Sequence, residues 1–352
     1  MYHVPPRLRF RRCGAVLAAA LAAGLVLAAC GSSASSTTPP SSSASGSSGK
    51  ALNIAYLSFA VENSYDAPML AAAQAVALDN HATMKVFDAN NSPQTQYSQL
   101  QDVIASGQYN GIILQPIFGT GLLTLVKQAI SKGIKVVNMD QILGPNLSTD
   151  QPQVTGLSAN VTFVPTDIGT KLGNLVVQAC KAKNLNPCQV GYLYDIKASA
   201  LDVAISGAFN KAIAADPAVK VVAQGQSFFS PTTGLTAVQD MLQAKPSLNL
   251  IVGSDQGIEG GAQALASAHK TGKVILVGYG ASAAALAGVA SGAWYADVAQ
   301  APASEGRLAV QALVTALRTG KSSGGIDPVA GLPDGGIVTK ANVSQFTAEW
   351  PG

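Results

Sequence analysis

Carboxylates, amides and aromatic rings gather in this 352-residue chain at one kind of place, immediately after short apolar runs. Glu62-Asn63-Ser64-Tyr65-Asp66 follows the run Leu52–Leu57, and Asp140-Gln141 follows Lys135–Met139. Asp195, Phe228-Phe229, Ser254-Asp255-Gln256 and Gln300 stand in the same relation to later runs. Carboxylates and amides take paired hydrogen bonds from adjacent hydroxyls, while ring faces cover C–H surfaces. Together they suit a neutral polyhydroxylated small molecule. Beyond residue 12 the only arginines are Arg307 and Arg318, both in one late helical stretch. Bidentate guanidinium clamping of a carboxylate or phosphate is therefore not expected, and anionic ligands should bind poorly. An amine-bearing solute offset by Asp140 and Asp255 stays open, as does a nucleoside held by rings, Asp and Asn.

Covalent chemistry finds no support. Gly280-Ala281-Ser282-Ala283-Ala284 imitates a nucleophile elbow, but that arrangement needs a histidine later in the chain, and the last is His269. Gly278-Tyr279-Gly280-Ala281-Ser282-Ala283 imitates a dinucleotide fingerprint, yet no acidic residue ends the strand that follows. No cluster has metal-ligand spacing. The reading is no enzyme, no metal and no cofactor.

These residues need strands and helices to position them, and the chain alternates the two. Apolar strands are predicted at Leu52–Leu57, Met84–Phe87, Gly111–Leu114 and Lys135–Met139, with helices at Ala67–Asp79, Thr95–Ser106 and Leu122–Ser131. A second series has strands at Val190–Tyr194, Val219–Ala223, Leu250–Val252, Val274–Val277 and Trp294–Ala299. Its helices are Leu201–Ala214, Leu235–Gln243, Ile258–Ala268, Ala283–Val289 and Pro302–Arg318. Continuous apolar runs suit strands covered on both faces of a parallel sheet. The fold class is α/β, with two Rossmann-like, doubly wound lobes. Ligands of such sheets bind at the carboxyl ends of the strands. Each candidate also has a plain structural reading. Tyr65 suits packing on its lobe, Asp140 a hinge or capping role, and Asp255 a cap on the helix starting near Gly257. An extended segment turns only one of Phe228 and Phe229 into a cleft, and Phe229 is the choice.

The first 49 residues read differently. Four arginines precede residue 13, so the formal charge of +3 falls to −1 for the remainder, too little basic field for nucleic acid. Residues 1–29 form an export signal whose apolar core, Gly14 to Ala29, is too short to span a bilayer. Leu27-Ala28-Ala29-Cys30 resembles the lipobox of bacterial lipoproteins, which implies lipid on Cys30. Residues 30–49, rich in Ser, have almost nothing to bury and read as a tether. Cys180 and Cys188, flanking a helix-to-strand turn, are expected to pair once exported.

From about Lys50 to Val338 the chain resembles type I periplasmic binding proteins of the ribose-binding group. The carriers are Asn63-Ser64-Tyr65, Val136-Val137-Asn138-Met139-Asp140, Ser254-Asp255-Gln256, Gly278-Tyr279-Gly280 and Ala299-Gln300, in family order. The resemblance implies two lobes joined by a three-strand hinge, closing over a solute that an ABC-type permease then receives. It implies discontinuous lobes, 50–158 plus 301–326 and 159–300 plus 327–352. A monomer is expected, held through the lipid on Cys30 at the outer face of the cytoplasmic membrane. Carried over by position, Asn63, Tyr65, Asp140, Gln141, Phe229, Asp255 and Gln300 would line the ligand site. Gln141 stands where the family commonly has Arg, Val203 aligns near a second common Arg, and Gly280 replaces a common Asp. A pentose site of the usual kind is therefore not expected. Presentation of a bound signal to a membrane sensor, without transport, is the alternative role.

Overall fold

The apolar run Ile-Ala-Tyr-Leu that opens the body lies in Asn53–Ser58, which is buried over five of its six residues, the pattern of a strand covered on both faces. A computed structural model describes residues 51–352. The signal, tether and Cys30 readings of residues 1–49 lie outside the described residues.

The chain lays down β1 (Asn53–Ser58), α1 (Asp66–Asp79), β2 (Thr83–Asp88), α2 (Pro93–Ser106), β3 (Gly111–Leu114), α3 (Gly119–Ser131), β4 (Lys135–Met139) and β5 (Ala159–Val161). It continues through α4 (Pro165–Ala182), β6 (Cys188–Tyr194), α5 (Ala200–Ile213), β7 (Val219–Gln226) and α6 (Pro231–Ala244). Then come β8 (Leu250–Ser254), α7 (Asp255–Ser267), β9 (Ile275–Gly280), α8 (Ala283–Ser291) and β10 (Ala296–Ala299). Finally α9 (Pro302–Thr319) and β11 (Gly324–Ile326) precede β12 (Ile337–Thr339). One sheet has the order β11-β5-β4-β3-β1-β2, all parallel. The other is β12-β10-β9-β8-β6-β7, parallel except for the β10–β12 pair.

Three connections therefore pass between the lobes, after β5, after β10 and after β11. The first of these departs from the expected boundary at residue 158. β5 pairs with β4 and β11 in the first sheet, so the chain leaves that lobe only after Val161. Strands of three residues, as β5, β11 and β12 are, carry too little periodicity to be read from composition.

Helices cover both sheets. In the first lobe Met69, Ala73 and Ala77, four residues apart on α1, form a buried stripe against α9. Gly306 makes that approach possible, because a Cβ there would lie 2.0 Å from the Met69 carbonyl oxygen. In the second lobe α4 ends at Ala182 and β6 opens at Cys188, and the Cys180 and Cys188 sulfurs meet across this turn with Cα atoms 5.8 Å apart.

Candidate functional site

The carboxyl ends of the two sheets border a small cavity of about 50 Å³, partly open to solvent. Its first-lobe wall is built from the strand tips. Asn63 Oδ1 accepts from the Tyr65 amide at 2.8 Å, a local turn that sets Tyr65 at the start of α1. The Tyr65 hydroxyl donates to Glu305 Oε2 on α9 at 3.3 Å, so the ring is held from behind. After β4 the backbone turns at Asp140, whose φ of 65° is a left-handed conformation that aspartate tolerates. Asn138 supports this turn by donating from Nδ2 to the Gln141 carbonyl at 2.7 Å.

Gln115, just beyond β3, ties the carboxylates together. Its Nε2 donates to Asp66 Oδ1 at 2.6 Å and to Asp140 Oδ2 at 3.1 Å, and Gln141 Nε2 donates to the same Asp140 oxygen at 3.1 Å. Burial pushes the Asp140 carboxyl up to about 6 against the pull of these two amides. Asp66 is raised well above the usual carboxylate range by burial and then by the charge of Asp140.

The second-lobe wall rests on one buried carboxylate. Asp195, at the tip of β6, accepts hydroxyl bonds at 2.5 Å from Ser227, Ser254 and Tyr279. Burial and the neighbouring charge of Asp202 push Asp195 up to about 7, and the three hydroxyls oppose that rise. The network orients Ser254 and the Tyr279 ring, both of which line the cavity. Phe229 lines it too, while Phe228 is 53% exposed. The separation does not come from an extended segment. Both residues have φ near +50°, an uncommon conformation for bulky side chains, and the Ser227 hydroxyl accepts the Phe229 amide at 3.2 Å to support it.

Six of the seven sequence-predicted positions thus meet at one cavity: Asn63, Tyr65, Asp140, Gln141, Phe229 and Gln300. Asp255 does not. Ser254 takes the cap position of α7, and the Asp255 side chain turns beneath β9, where Oδ2 accepts from the Ser282 amide at 2.7 Å. Its other oxygen and Asp297 Oδ2 both border Gly278. Burial raises both carboxyls, and the charge of Asp255 raises Asp297 further. Asp255 is part of the lobe's interior and its neighbours Ser254 and Gln256 face the cavity instead.

Several wall residues escaped sequence reading. Gln115 follows β3 directly, and the strand-tip rule applied there would have found it. Phe59 lies just past β1 in the same way. Trp350 had no such signal, since it reaches the cavity from an irregular segment near residue 352. Arg318 bonds Asn80, and Arg307 bonds Ser304; neither lines the cavity, nor does any Lys or His among the described residues.

Contacts also cross between the lobes. Gln256 Nε2 donates to Ser64 Oγ at 3.0 Å, Phe59 meets Phe229 edge-on at 6.5 Å, and Tyr65 meets Trp350 at 5.3 Å. The lobes of this structure are closed on one another.

Comparison with known proteins agrees with this architecture. The family described as periplasmic binding protein domain matches residues 54–322. The D-allose-binding periplasmic protein of Escherichia coli (strain K12) is 28% identical over 253 residues, covering 70% of this chain and 77% of the relative. The ribose import binding protein of Bacillus subtilis (strain 168) is 29% identical over 229 residues, covering 64% and 69%. Among solved structures, an ABC transporter periplasmic solute-binding protein from Actinobacillus succinogenes 130z with bound D-allose superposes with a TM-score of 0.72. It is 21% identical, with 84% of this chain and all of that chain covered.

Proposed function

Because this chain belongs to the periplasmic binding protein domain family, we propose that it binds a neutral sugar or polyol between its lobes and delivers it to an ABC-type permease. It is a solute-binding protein, not an enzyme. The observation that carries the sugar reading is the convergence of Asp140, Gln141, Asn63 and Gln300 with the Tyr65 and Phe229 rings on a cavity lined by no cation among the described residues. Acceptors and amides take the hydroxyls, and rings take the C–H faces. The curated relatives bear the names of allose and ribose, both neutral sugars.

Ligand docking on one lobe recruits contacts from the other, and only that difference in contact shifts the open–closed balance. Closure excludes water, which strengthens each hydrogen bond to the solute. An amine-bearing solute is the second reading. Asp66 and Asp140 are buried at the cavity without a basic partner, and an ammonium group would offset them.

With residues 1–29 as export signal, Cys30 as lipid carrier and the Ser-rich stretch to residue 49 as tether, the chain would be held as a monomer at the outer face of the cytoplasmic membrane. In that oxidising setting the Cys180–Cys188 pair serves as a structural disulfide. Thermal-shift titration of residues 50–352 against D-allose, D-ribose, myo-inositol, glucosamine, nucleosides and sugar phosphates tests the proposal. A bound solute at about 100 times its Kd adds about 2.7 kcal/mol. Stabilisation by sugar phosphates but not by neutral sugars would refute it.

A further inference from the structure

The segment Glu349–Pro351 touches both lobes and the cavity at once. On the second lobe, Trp350 Nε1 donates to the Gly280 carbonyl at 2.7 Å, and the Ala283 and Ala284 amides donate to the carbonyls of Trp350 and Pro351 at 2.9 and 3.2 Å. These amides begin α8, so the segment satisfies donors that the helix itself leaves free. One residue earlier the attachment changes sides. Glu349 accepts from the Ser304 amide at 2.7 Å and from the Ser304 hydroxyl at 2.6 Å, at the start of α9, which packs on α1 of the first lobe. Between these anchors the Trp350 indole is 4% exposed, lines the cavity, and stands edge-on to Tyr65 of the first lobe.

We infer that this segment is a strap that closes with the lobes, with Trp350 as a specificity-determining wall of the ligand site. The inference rests on the sugar-binding reading of the cavity. Adjacent residues fastened to different lobes cannot both keep their bonds when the lobes separate, so the Glu349–Ser304 pair favours the closed arrangement. Only in that arrangement is the indole set opposite Tyr65, where it decides which ring face of a solute fits. Gly280 enforces the close seat, because a Cβ there would lie 2.6 Å from Trp350 Cζ2.

Trp350 and Trp294 are the two tryptophans of the chain, so Trp294→Phe leaves Trp350 as the sole indole reporter. In that background, without solute, Glu349→Ala should raise acrylamide quenching of Trp350 at least twofold, and Glu349→Gln, which keeps one acceptor, should raise it less. In the otherwise wild-type chain, Trp350→Ala should weaken the best binder among D-allose, D-ribose and myo-inositol at least tenfold and reorder the three. Trp350→Phe should recover most of the affinity and shows that loss of folding is not the cause. Unchanged quenching, or a Trp350→Ala chain whose affinities stay within twofold of wild type, overturns the inference. If the wild-type chain binds none of the three, the sugar reading of the cavity fails, and the quenching result alone decides the strap.

Discussion

Gln256, on α7 of the second lobe, donates from Nε2 to Asn63 Oδ1 of the first lobe at 3.2 Å. With its companion bond to Ser64 this is a direct side-chain tie across the cleft, made by the protein to itself. Each such bond contributes about 0.5–1.5 kcal/mol net. Gln256→Ala should therefore shift the solute-free protein toward separated lobes and weaken sugar binding about 5- to 10-fold. Small-angle scattering with and without solute, paired with calorimetry, checks this. An unchanged radius of gyration and unchanged Kd would mean that the tie does not hold the lobes.

Tyr279 offers a way to separate stability from recognition. Its hydroxyl is buried against Asp195, while its ring lines the cavity. Tyr279→Phe removes one of three hydroxyl bonds to the buried Asp195 carboxyl, a loss of about 1–3 kcal/mol. The melting temperature should fall while the Kd for sugar changes less than threefold. A large change in Kd with unchanged stability would place the hydroxyl, not the ring, at the solute.

The helix pair α1–α9 is held close by a residue with no side chain. At Gly306 a Cβ would meet Met69 backbone at 2.0 and 2.8 Å, which no side-chain movement relieves. Gly306→Ala should cost about 2–3 kcal/mol by overpacking. Gly207, exposed on α5, has nothing within 4 Å of its Cβ position, so Gly207→Ala should gain up to about 1 kcal/mol from helix propensity. Urea unfolding of the two variants should give opposite signs.

The central strands were legible because each is one apolar run buried on both faces, as in β1, β3 and β8. Six of the seven expected positions share one cavity because the strand tips of both parallel sheets converge there. Asp255 was misplaced for a reason that spacing cannot reveal. Ser254 and Asp255 are neighbours, and which one caps α7 depends on Ser282 and Asp297, residues far along the chain. Trp350 was invisible for the opposite reason, since tertiary contact alone brings it to the cavity.

The proposed Cys180–Cys188 disulfide would close a short loop between α4 and β6. Loop-closure entropy for that length is about 2–3 kcal/mol. Dithiothreitol should lower the melting temperature of the wild-type chain and leave that of a Cys180→Ala/Cys188→Ala chain unaltered. Equal curves for wild type with and without reductant would show that the pair carries no stability.

Asp140 should make stability and affinity run in opposite directions with pH. An aspartate in the unfolded chain ionises near 3.9, and burial raises the folded value to about 6. The folded state thus holds a proton that the unfolded state has released, so the contribution of Asp140 to stability is complete below about pH 4 and is lost as pH rises through about 6. Asp140→Asn removes this dependence, and its unfolding free energy relative to wild type should climb between pH 4 and 7, by at most about 3 kcal/mol. Recognition has the opposite sign. An ionised carboxylate accepts from two hydroxyls, while its protonated form gives up acceptor capacity, so sugar affinity should fall as pH drops below about 6. Denaturation and calorimetric titration over the same pH series read both slopes. A constant gap between wild type and Asp140→Asn would mean that Asp140 keeps its ordinary acidity, and an affinity independent of pH would remove it from the solute contacts.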